Sequence, residues 1–197
     1  MRFRISIFLT IFFLFAACKK QNSDYREIKF KRFNWTLNIP KSFEAVSKQD
    51  WEKHQNRGTQ AIENTLGETI ENNSKIIFIF KKSNLNIFEA SFQPFDESID
   101  GNHSDSFDMV NEILTETFNN QIPDIIIDEE RSVEMIDGLK FQVNKIKLTY
   151  PNNTKFYNEM HSTLIGKEEL TVNIMYTDEK LGEIMRESFL SSKFGNN

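Results

Sequence analysis

Residues 139–177, LKFQVNKIKLTYPNNTKFYNEMHSTLIGKEELTVNIMYT, decide the fold. Two turn sequences, Pro151-Asn152-Asn153 and Gly166-Lys167, divide this stretch into three runs in which apolar and polar residues tend to alternate. Such alternation is typical of strands with one buried face. Strands that are connected by turns this short are usually antiparallel neighbours. The stretch therefore predicts three consecutive antiparallel strands.

The segments on either side extend this arrangement. Ile125 to Met135 has the same strand pattern, and the dipeptide Asp137-Gly138 after it is a strong signal for a β-hairpin. On the other side, Asp178 is a predicted N-cap for a helix with an apolar face. The C-terminal half is thus expected to form a four-stranded meander followed by a helix.

The N-terminal half of the mature chain adds strands and helices before the meander. Its predicted elements are a strand from Phe33 to Ile39, a helix from the cap Ser47 to Gly67, strands Lys75 to Lys82 and Leu85 to Phe92, a polar loop from Asp96 to Asp105, and a helix capped by Asp105. The sum is an α+β protein, an α/β/α sandwich around a central, mainly antiparallel sheet of about six to seven strands. The chain has 197 residues, with 19 Phe but only 7 Gly and 4 Pro. This length and composition suit one well-packed core, so residues 30–195 are expected to form one domain.

The first residues resemble a bacterial lipoprotein signal. Arg2 and Arg4 precede an apolar segment that, as a helix, would reach about 20 Å and so fall short of the about 30 Å of a hydrocarbon core. Phe15-Ala16-Ala17-Cys18 resembles the lipobox, in which the Cys is acylated, and Cys18 is the only cysteine. We therefore expect residues 1–17 to be a cleaved signal peptide, Cys18 to carry the lipid and residues 18–29 to form a tether. An ordinary cleaved signal with an incidental Cys is the alternative.

The leader and the charge of the chain indicate its surroundings. The net charge of −5 argues against electrostatic binding of nucleic acid, and cleavage of residues 1–17 removes two further cations. The protein is expected in the bacterial cell envelope, attached to a membrane through its N-terminal lipid and facing the periplasm or the outer membrane.

The order of the predicted elements resembles the PsbP-like fold. Residues that carry this resemblance are Phe33 to Pro40, Ile136 to Lys140 and Phe189 to Phe194. That fold is shared by an extrinsic photosystem II subunit, a Ran-binding nuclear import factor and periplasmic lipoproteins of the DcrB type. The resemblance implies a binding or assembly role, and it implies no catalytic residues.

Sequence motifs for catalysis or metal binding are weak. His54, His103 and His161 lack metal-ligand spacing, and no phosphate loop or nucleophile elbow is present. The loop from Asp96 to Asp105 resembles the first half of a calcium loop but has Phe107 where the bidentate Glu is expected. We therefore expect no cofactor and no metal site. The segment from Asp96 to Asp105 is expected to be a plain acidic loop.

One strand carries a row of polar side chains that could form a binding surface. Tyr157, Glu159, His161 and Thr163 project to one face by strand alternation, with Phe156, Met160 and Leu164 pointing toward a core. The alternative is a solvated stripe on an exposed part of the sheet.

The sequence therefore predicts a lipid-anchored extracytoplasmic binding or assembly factor that is not an enzyme, whose partner is an envelope protein or a hydrophobic ligand. Two other functions stay open. One is a carrier or chaperone for hydrophobic ligands or apolar helices, and the other is a hydrolase that uses His161 as base and Glu159 to orient it.

Overall fold

The computed structural model describes residues 24–195, so the predicted signal peptide and Cys18 lie outside the described residues. The strands are β1 (Tyr25–Phe30), β2 (Trp35–Pro40), β3 (Glu44–Ala45), β4 (Lys75–Ser83), β5 (Asn86–Pro94), β6 (Ile126–Ile136), β7 (Leu139–Thr149), β8 (Lys155–Ile165), β9 (Glu168–Tyr176) and β10 (Lys193–Phe194). The helices are α1 (Lys48–Leu66), α2 (Glu97–Asp100), α3 (His103–Gln121) and α4 (Glu179–Leu190). None of these helices is long and apolar enough to cross a bilayer.

A seven-stranded antiparallel sheet forms the centre of the protein, in the order β3-β4-β5-β9-β8-β7-β6. The predicted α+β sandwich with six to seven mainly antiparallel strands is confirmed. Its membership differs at one edge, because β2 belongs to a separate three-stranded sheet, β1-β2-β10, and the two-residue β3 takes the seventh place.

The described part of the predicted tether, residues 18–29, is largely a strand. Residues 25–29 were expected in it, but they belong to β1, which pairs along its whole length with β2. Ile28 and Phe30 alternate with charged residues in this strand and pack against the core, so the segment has one apolar face in spite of its polar composition.

Turn residues fix the register of the β6–β7 hairpin. Asp137 and Gly138 have φ angles of 47° and 85°, as the predicted two-residue turn requires. The Asp137 carboxylate also accepts hydrogen bonds from the backbone N–H of Phe194 at 2.7 Å and from Lys193 Nζ at 2.9 Å. This hairpin is thereby joined to the C-terminal strand.

The helix termini agree with the sequence for α1 and differ for α3. Ser47 Oγ accepts from the Asp50 N–H, and α1 ends at Gly67 with a φ of 74°. The prediction that Asp105 caps α3 is wrong, because Asn102 accepts from the Ser104 N–H at 2.9 Å and the helix begins earlier. Asn102 is an equally good capping residue that lies nearer to the end of the preceding turn.

The two faces of the central sheet are covered differently. One face, here called the α4 face, packs against α4 and the small sheet, and its core is largely aromatic. Fully buried members of this core include Trp35, Phe43, Phe88, Phe141 and Phe189. The other face, here called the α1/α3 face, is covered by α1 and α3.

Candidate functional site

The four candidate side chains of β8 lie on the α4 face, beneath α4. Glu159, His161 and Thr163 are 2%, 0% and 3% exposed, so the alternative of a solvated stripe is wrong. The expectation for the opposite side of the strand is also wrong, since Phe156, Met160 and Leu164 lie on the α1/α3 face and keep part of their surface exposed. Strand alternation correctly predicted that the four side chains share one face of the sheet. Which face carries the largest core is decided by how the helices pack.

Glu159 is held in a buried ion pair. Arg186 of α4 donates from Nε to Glu159 Oε2 at 2.8 Å and from Nη2 to Oε1, and the Tyr176 hydroxyl donates to Oε1 at 2.7 Å. Burial alone would raise the pKa of Glu159, but the hydrogen bonds from Arg186 and Tyr176 outweigh it and lower the pKa. The pKa of Tyr176 is raised, first by burial and then by its bond to the carboxylate. Glu159 is therefore a fixed anion.

His161 lies deeper than Glu159 and has unusual surroundings. Its Nδ1 is 3.7 Å from Glu134 Oε2 and its Nε2 is 3.9 Å from Glu159 Oε2, and neither nitrogen forms a hydrogen bond. The ring packs edge-on against Phe189 with 4.9 Å between centroids. Burial lowers the pKa of His161 to about 4, against the attraction of both carboxylates. The imidazole is thus neutral at pH 7 and closed to solvent.

Tyr157 and Thr163 are also engaged with the protein itself. The Tyr157 ring stacks on Tyr176 at 4.8 Å, and its hydroxyl donates to Glu179 at 2.6 Å, a bond that raises the pKa of Tyr157. Thr163 Oγ1 donates to the carbonyl of Lys140 at 2.8 Å. All four candidate residues are positioned by internal contacts.

A cavity of about 390 Å³ opens beside two of the four residues, and we call it the charged cleft. Residues that line it are Asp128, Glu129, Glu130, Lys145, Ile146, Lys147, Tyr157, Glu159, Tyr176 and Arg186. Tyr157 and Glu159 contribute to it, whereas His161 and Thr163 lie outside it. Its wall is a mosaic of both charges: Lys147 pairs with Asp128 at 2.5 Å and Lys145 pairs with Glu134 at 3.3 Å.

The cations of this cleft were missed in the sequence, although a signal for two of them was present. Lys147 lies opposite Asp128, and Lys145 lies opposite Glu130, because the register runs unbroken from the Asp137-Gly138 turn. Counting outward from that turn would have paired them. Arg186 comes from α4, and no local pattern connects it with β8.

The remaining sequence candidates are dispersed. His103 Nε2 lies 2.9 Å from Ser162 Oγ, which donates to Glu169 at 2.6 Å on the α1/α3 face, while His54 is exposed on α1 beside Trp51. Within residues 24–195 no group of three or more His, Cys, Asp or Glu side chains could hold a metal ion.

The Asp96 loop uses its oxygens locally. Asp96 accepts from the Ser98 hydroxyl and N–H, and these bonds lower its pKa; Asp100 accepts from the Asp96 N–H at 2.7 Å. Its carboxylates thus stabilise a helical turn, α2.

Comparison with known proteins identifies the fold. A scan against models of protein families and a search of curated proteins found no match. The solution structure of cyanobacterial PsbP (CyanoP) from Synechocystis sp. PCC 6803 matches with a TM-score of 0.58 and 7% identity, over 92% of this chain and 99% of that chain. A crystal structure of a protein from Bacteroides thetaiotaomicron VPI-5482 matches with a TM-score of 0.43 and 12% identity, over 83% of this chain and 46% of that chain. The chain has a PsbP-like fold.

Proposed function

We propose that the protein is a lipid-anchored extracytoplasmic binding or assembly factor, similar to the DcrB-type periplasmic lipoproteins, and that it recognises a partner protein of the envelope through the charged cleft without catalysis. The lipobox-like Phe15-Ala16-Ala17-Cys18 supports the lipid anchor and the location in the cell envelope. The PsbP-like fold is compatible with a binding role but does not supply one.

The observation that carries the proposal is the state of the polar groups in and beneath the cleft. Glu159 is neutralised by Arg186, and His161 is fully buried behind it. A general base must reach the proton that it abstracts, and neither group is free to do so. What the cleft offers is a fixed pattern of charge, which suits recognition of a complementary surface. This arrangement argues against the hydrolase that would use His161 and Glu159.

Site-specific photo-crosslinking in the intact, lipidated chain tests the proposal. A photoreactive amino acid at Asp128, which lines the cleft, should give a discrete adduct with one envelope protein in cells. The same photoreactive amino acid, placed at the exposed position Glu52 of α1, is the matched control and should not give that adduct. The substitution Cys18→Ser should remove incorporation of an alkyne-labelled fatty acid and weaken the adduct. Identical adducts from Asp128 and Glu52, or a lipid label that survives Cys18→Ser, would contradict the proposal.

A second candidate function, a carrier of hydrophobic ligands, is favoured by one specific observation. A groove of about 580 Å³ lies between the start of β1, the end of β2 and α4, and apolar side chains provide much of its wall: Pro40, Phe43, Leu181 and Ile184. Native mass spectrometry of the freshly purified full chain should then detect a retained lipid mass besides the covalent acyl groups. The retained mass should disappear with Ile184→Glu, and its persistence in that variant would exclude this groove as the carrier site.

A further inference from the structure

The middle of the α1/α3 face is polar where a covered sheet face is normally apolar, although Ile79, Ile146 and Leu148 are buried elsewhere on the same face. The residues that follow one another across β5, β9, β8 and β7 are Glu89, Asn173, Met160 and Asn144, and in the next row Ser91, Thr171, Ser162 and Gln142. Met160 is the one apolar side chain in these two rows. On the α4 face of the same strands the corresponding row is Ala90, Val172, His161 and Val143.

Solvent reaches the middle of this polar face. Met160, Thr171 and Asn173 stand on the two central strands β8 and β9, yet each keeps part of its surface exposed. Their counterparts on the α4 face, His161 and Val172, are 0% exposed. The helices α1 and α3 therefore leave an opening above β8 and β9.

Glu89 lies beside this opening without the partners that a buried carboxylate requires. It is 7% exposed, and the hydrogen bond that satisfies it is donated by Asn173 Nδ2 at 3.0 Å. Burial raises the pKa of Glu89, although Asn173 and the nearby Trp51 oppose the shift. Among the side chains that the structure describes, no cation pairs with this carboxylate.

The atoms around Glu89 are unsatisfied as well. Asn173 Oδ1 is buried and accepts no hydrogen bond, and the Nε1 of Trp51 faces the carboxylate without forming a well-directed bond, although Trp51 is only 8% exposed. Leaving such atoms unpaired costs about 1–3 kcal/mol each, so an unpaired group in a native protein calls for an explanation.

The chemistry of the missing group follows from these atoms. Glu89 Oε and Asn173 Oδ1 are acceptors, so the group must donate hydrogen bonds, and the carboxylate favours a positive charge. Arg131 on β6 lies opposite Asn144 and continues the first row, but it is already paired with Glu129 and Asp108. An aromatic ring beside a carboxylate is a frequent setting for organic cations.

We propose that the opening between α1 and α3 is a binding site for the cationic head group of an organic ligand, an ammonium or guanidinium, held by the carboxylate of Glu89, the side-chain carbonyl of Asn173 and the indole of Trp51. This site is on the opposite face of the sheet from the charged cleft, so it does not depend on the function proposed above.

The two tryptophans of the chain allow a direct test by ¹⁹F NMR, because Trp51 lies at the site and Trp35 lies in the aromatic core of the other face. The full chain is labelled with 5-fluorotryptophan, and Trp51→Phe assigns the two resonances. On titration with agmatine, which carries both kinds of cation, the Trp51 resonance should shift and saturate while the Trp35 resonance stays in place. Butyrate and the neutral N-butylacetamide, added at the same concentrations, should move neither.

Two substitutions locate the binding. Glu89→Gln keeps the shape of the side chain and removes its charge, so it should weaken agmatine binding about tenfold or more. Glu52→Gln, exposed on the same turn of α1 as Trp51, is the matched control and should leave the affinity unchanged. Asn173→Leu should also weaken binding. An unmoved Trp51 resonance, an equal response to butyrate, or equal affinities for wild type and Glu89→Gln would overturn the proposal and leave the opening as a site for water only.

Discussion

The two faces of one sheet are the most instructive contrast in this protein. Along β5 the residues Phe88, Ala90 and Phe92 face α4 and are sealed in an aromatic core, while Glu89, Ser91 and Gln93 alternate with them and face α1 and α3. Both faces are covered by helices, but the middle of the α1/α3 face carries polar side chains beside buried apolar ones such as Ile79, Ile146 and Leu148. The comparison teaches that the two covered faces of one sheet can differ in how completely apolar side chains fill them.

The largest expected difference in stability between the two faces is that between substitutions of the two tryptophans. Trp35 is fully buried among Phe30, Phe78, Phe189 and Phe194, so Trp35→Ala should lower the free energy of unfolding by about 3–5 kcal/mol. Trp51 covers the polar face, and Trp51→Ala should cost at most about 2 kcal/mol. Urea unfolding followed by circular dichroism measures both. Equal losses would mean that α1 is as firmly packed as α4.

The next effect concerns the buried ion pair. Arg186→Leu leaves the Glu159 carboxylate, whose side chain is 3% exposed, without its partner and should destabilise the fold by about 3 kcal/mol. Lys147→Leu is the matched control, since the Lys147 and Asp128 side chains are 36% and 58% exposed and such pairs contribute about 1 kcal/mol or less. Chemical denaturation at pH 7 compares the two variants. A loss for Lys147→Leu as large as that for Arg186→Leu would indicate that the cleft is stabilised by its rim and not by Glu159.

His161 adds a dependence on pH to the α4 face. Because the folded pKa is about 4 and the unfolded value is 6.5, the unfolded chain binds the proton first, and this contribution to stability falls as the pH drops from 6.5 to 4. The loss approaches about 3 kcal/mol at pH 4. His161→Phe keeps a ring against Phe189 and removes the titration.

The difference in the free energy of unfolding between wild type and His161→Phe separates the contribution of His161 from that of the carboxylates. It should be roughly constant above pH 7 and should grow in favour of the variant as the pH falls toward 4. Denaturant titrations at several pH values measure it. A difference that does not change with pH would mean that His161 is not buried in its neutral form.

The smallest effect on stability is expected for Glu89 on the α1/α3 face. Its dependence on pH has the opposite sign to that of His161. The pKa of Glu89 is raised in the folded chain, so its contribution favours folding below pH 4.5, the unfolded value, and is lost as the pH rises from there through the higher folded pKa. Glu89→Gln removes the buried charge and should stabilise the protein at pH 7 by up to about 1 kcal/mol. Thermal unfolding detects this shift, with Glu52→Gln as the neutral control. A clear destabilisation would show that the Glu89 carboxylate is already paired in the folded protein.

The sequence anticipated much of the architecture because its signals are local. Alternation in β7, β8 and β9, the Asp137-Gly138 turn and the cap at Ser47 each depend on neighbouring residues, and each was confirmed. The strand Tyr25–Phe30 was missed because its charged residues masked a weak apolar alternation. That β2 belongs to the small sheet could not be read from local patterns, because strand pairing depends on contacts far apart in the chain.

The candidate site shows the same limit. Alternation put Tyr157, Glu159, His161 and Thr163 on one face, but whether that face was solvated or buried depended on α4, which begins at Glu179. Arg186 and Tyr176 could not be assigned to Glu159 in advance, since their side chains meet it only after α4 has packed on the sheet.

By itself, the sequence determined the longer strands of the central sheet, the turns between them, the register of the β6–β7 hairpin and the resemblance of the N-terminus to a lipoprotein signal. These depend on backbone propensities and on patterns within a few residues. Only the tertiary structure decided which side of the sheet became the aromatic core and which carboxylates, like Glu159, were buried against a cation. Burial and pairing are set by side chains distant in sequence, because the free energy of a charge depends on everything that surrounds it after folding.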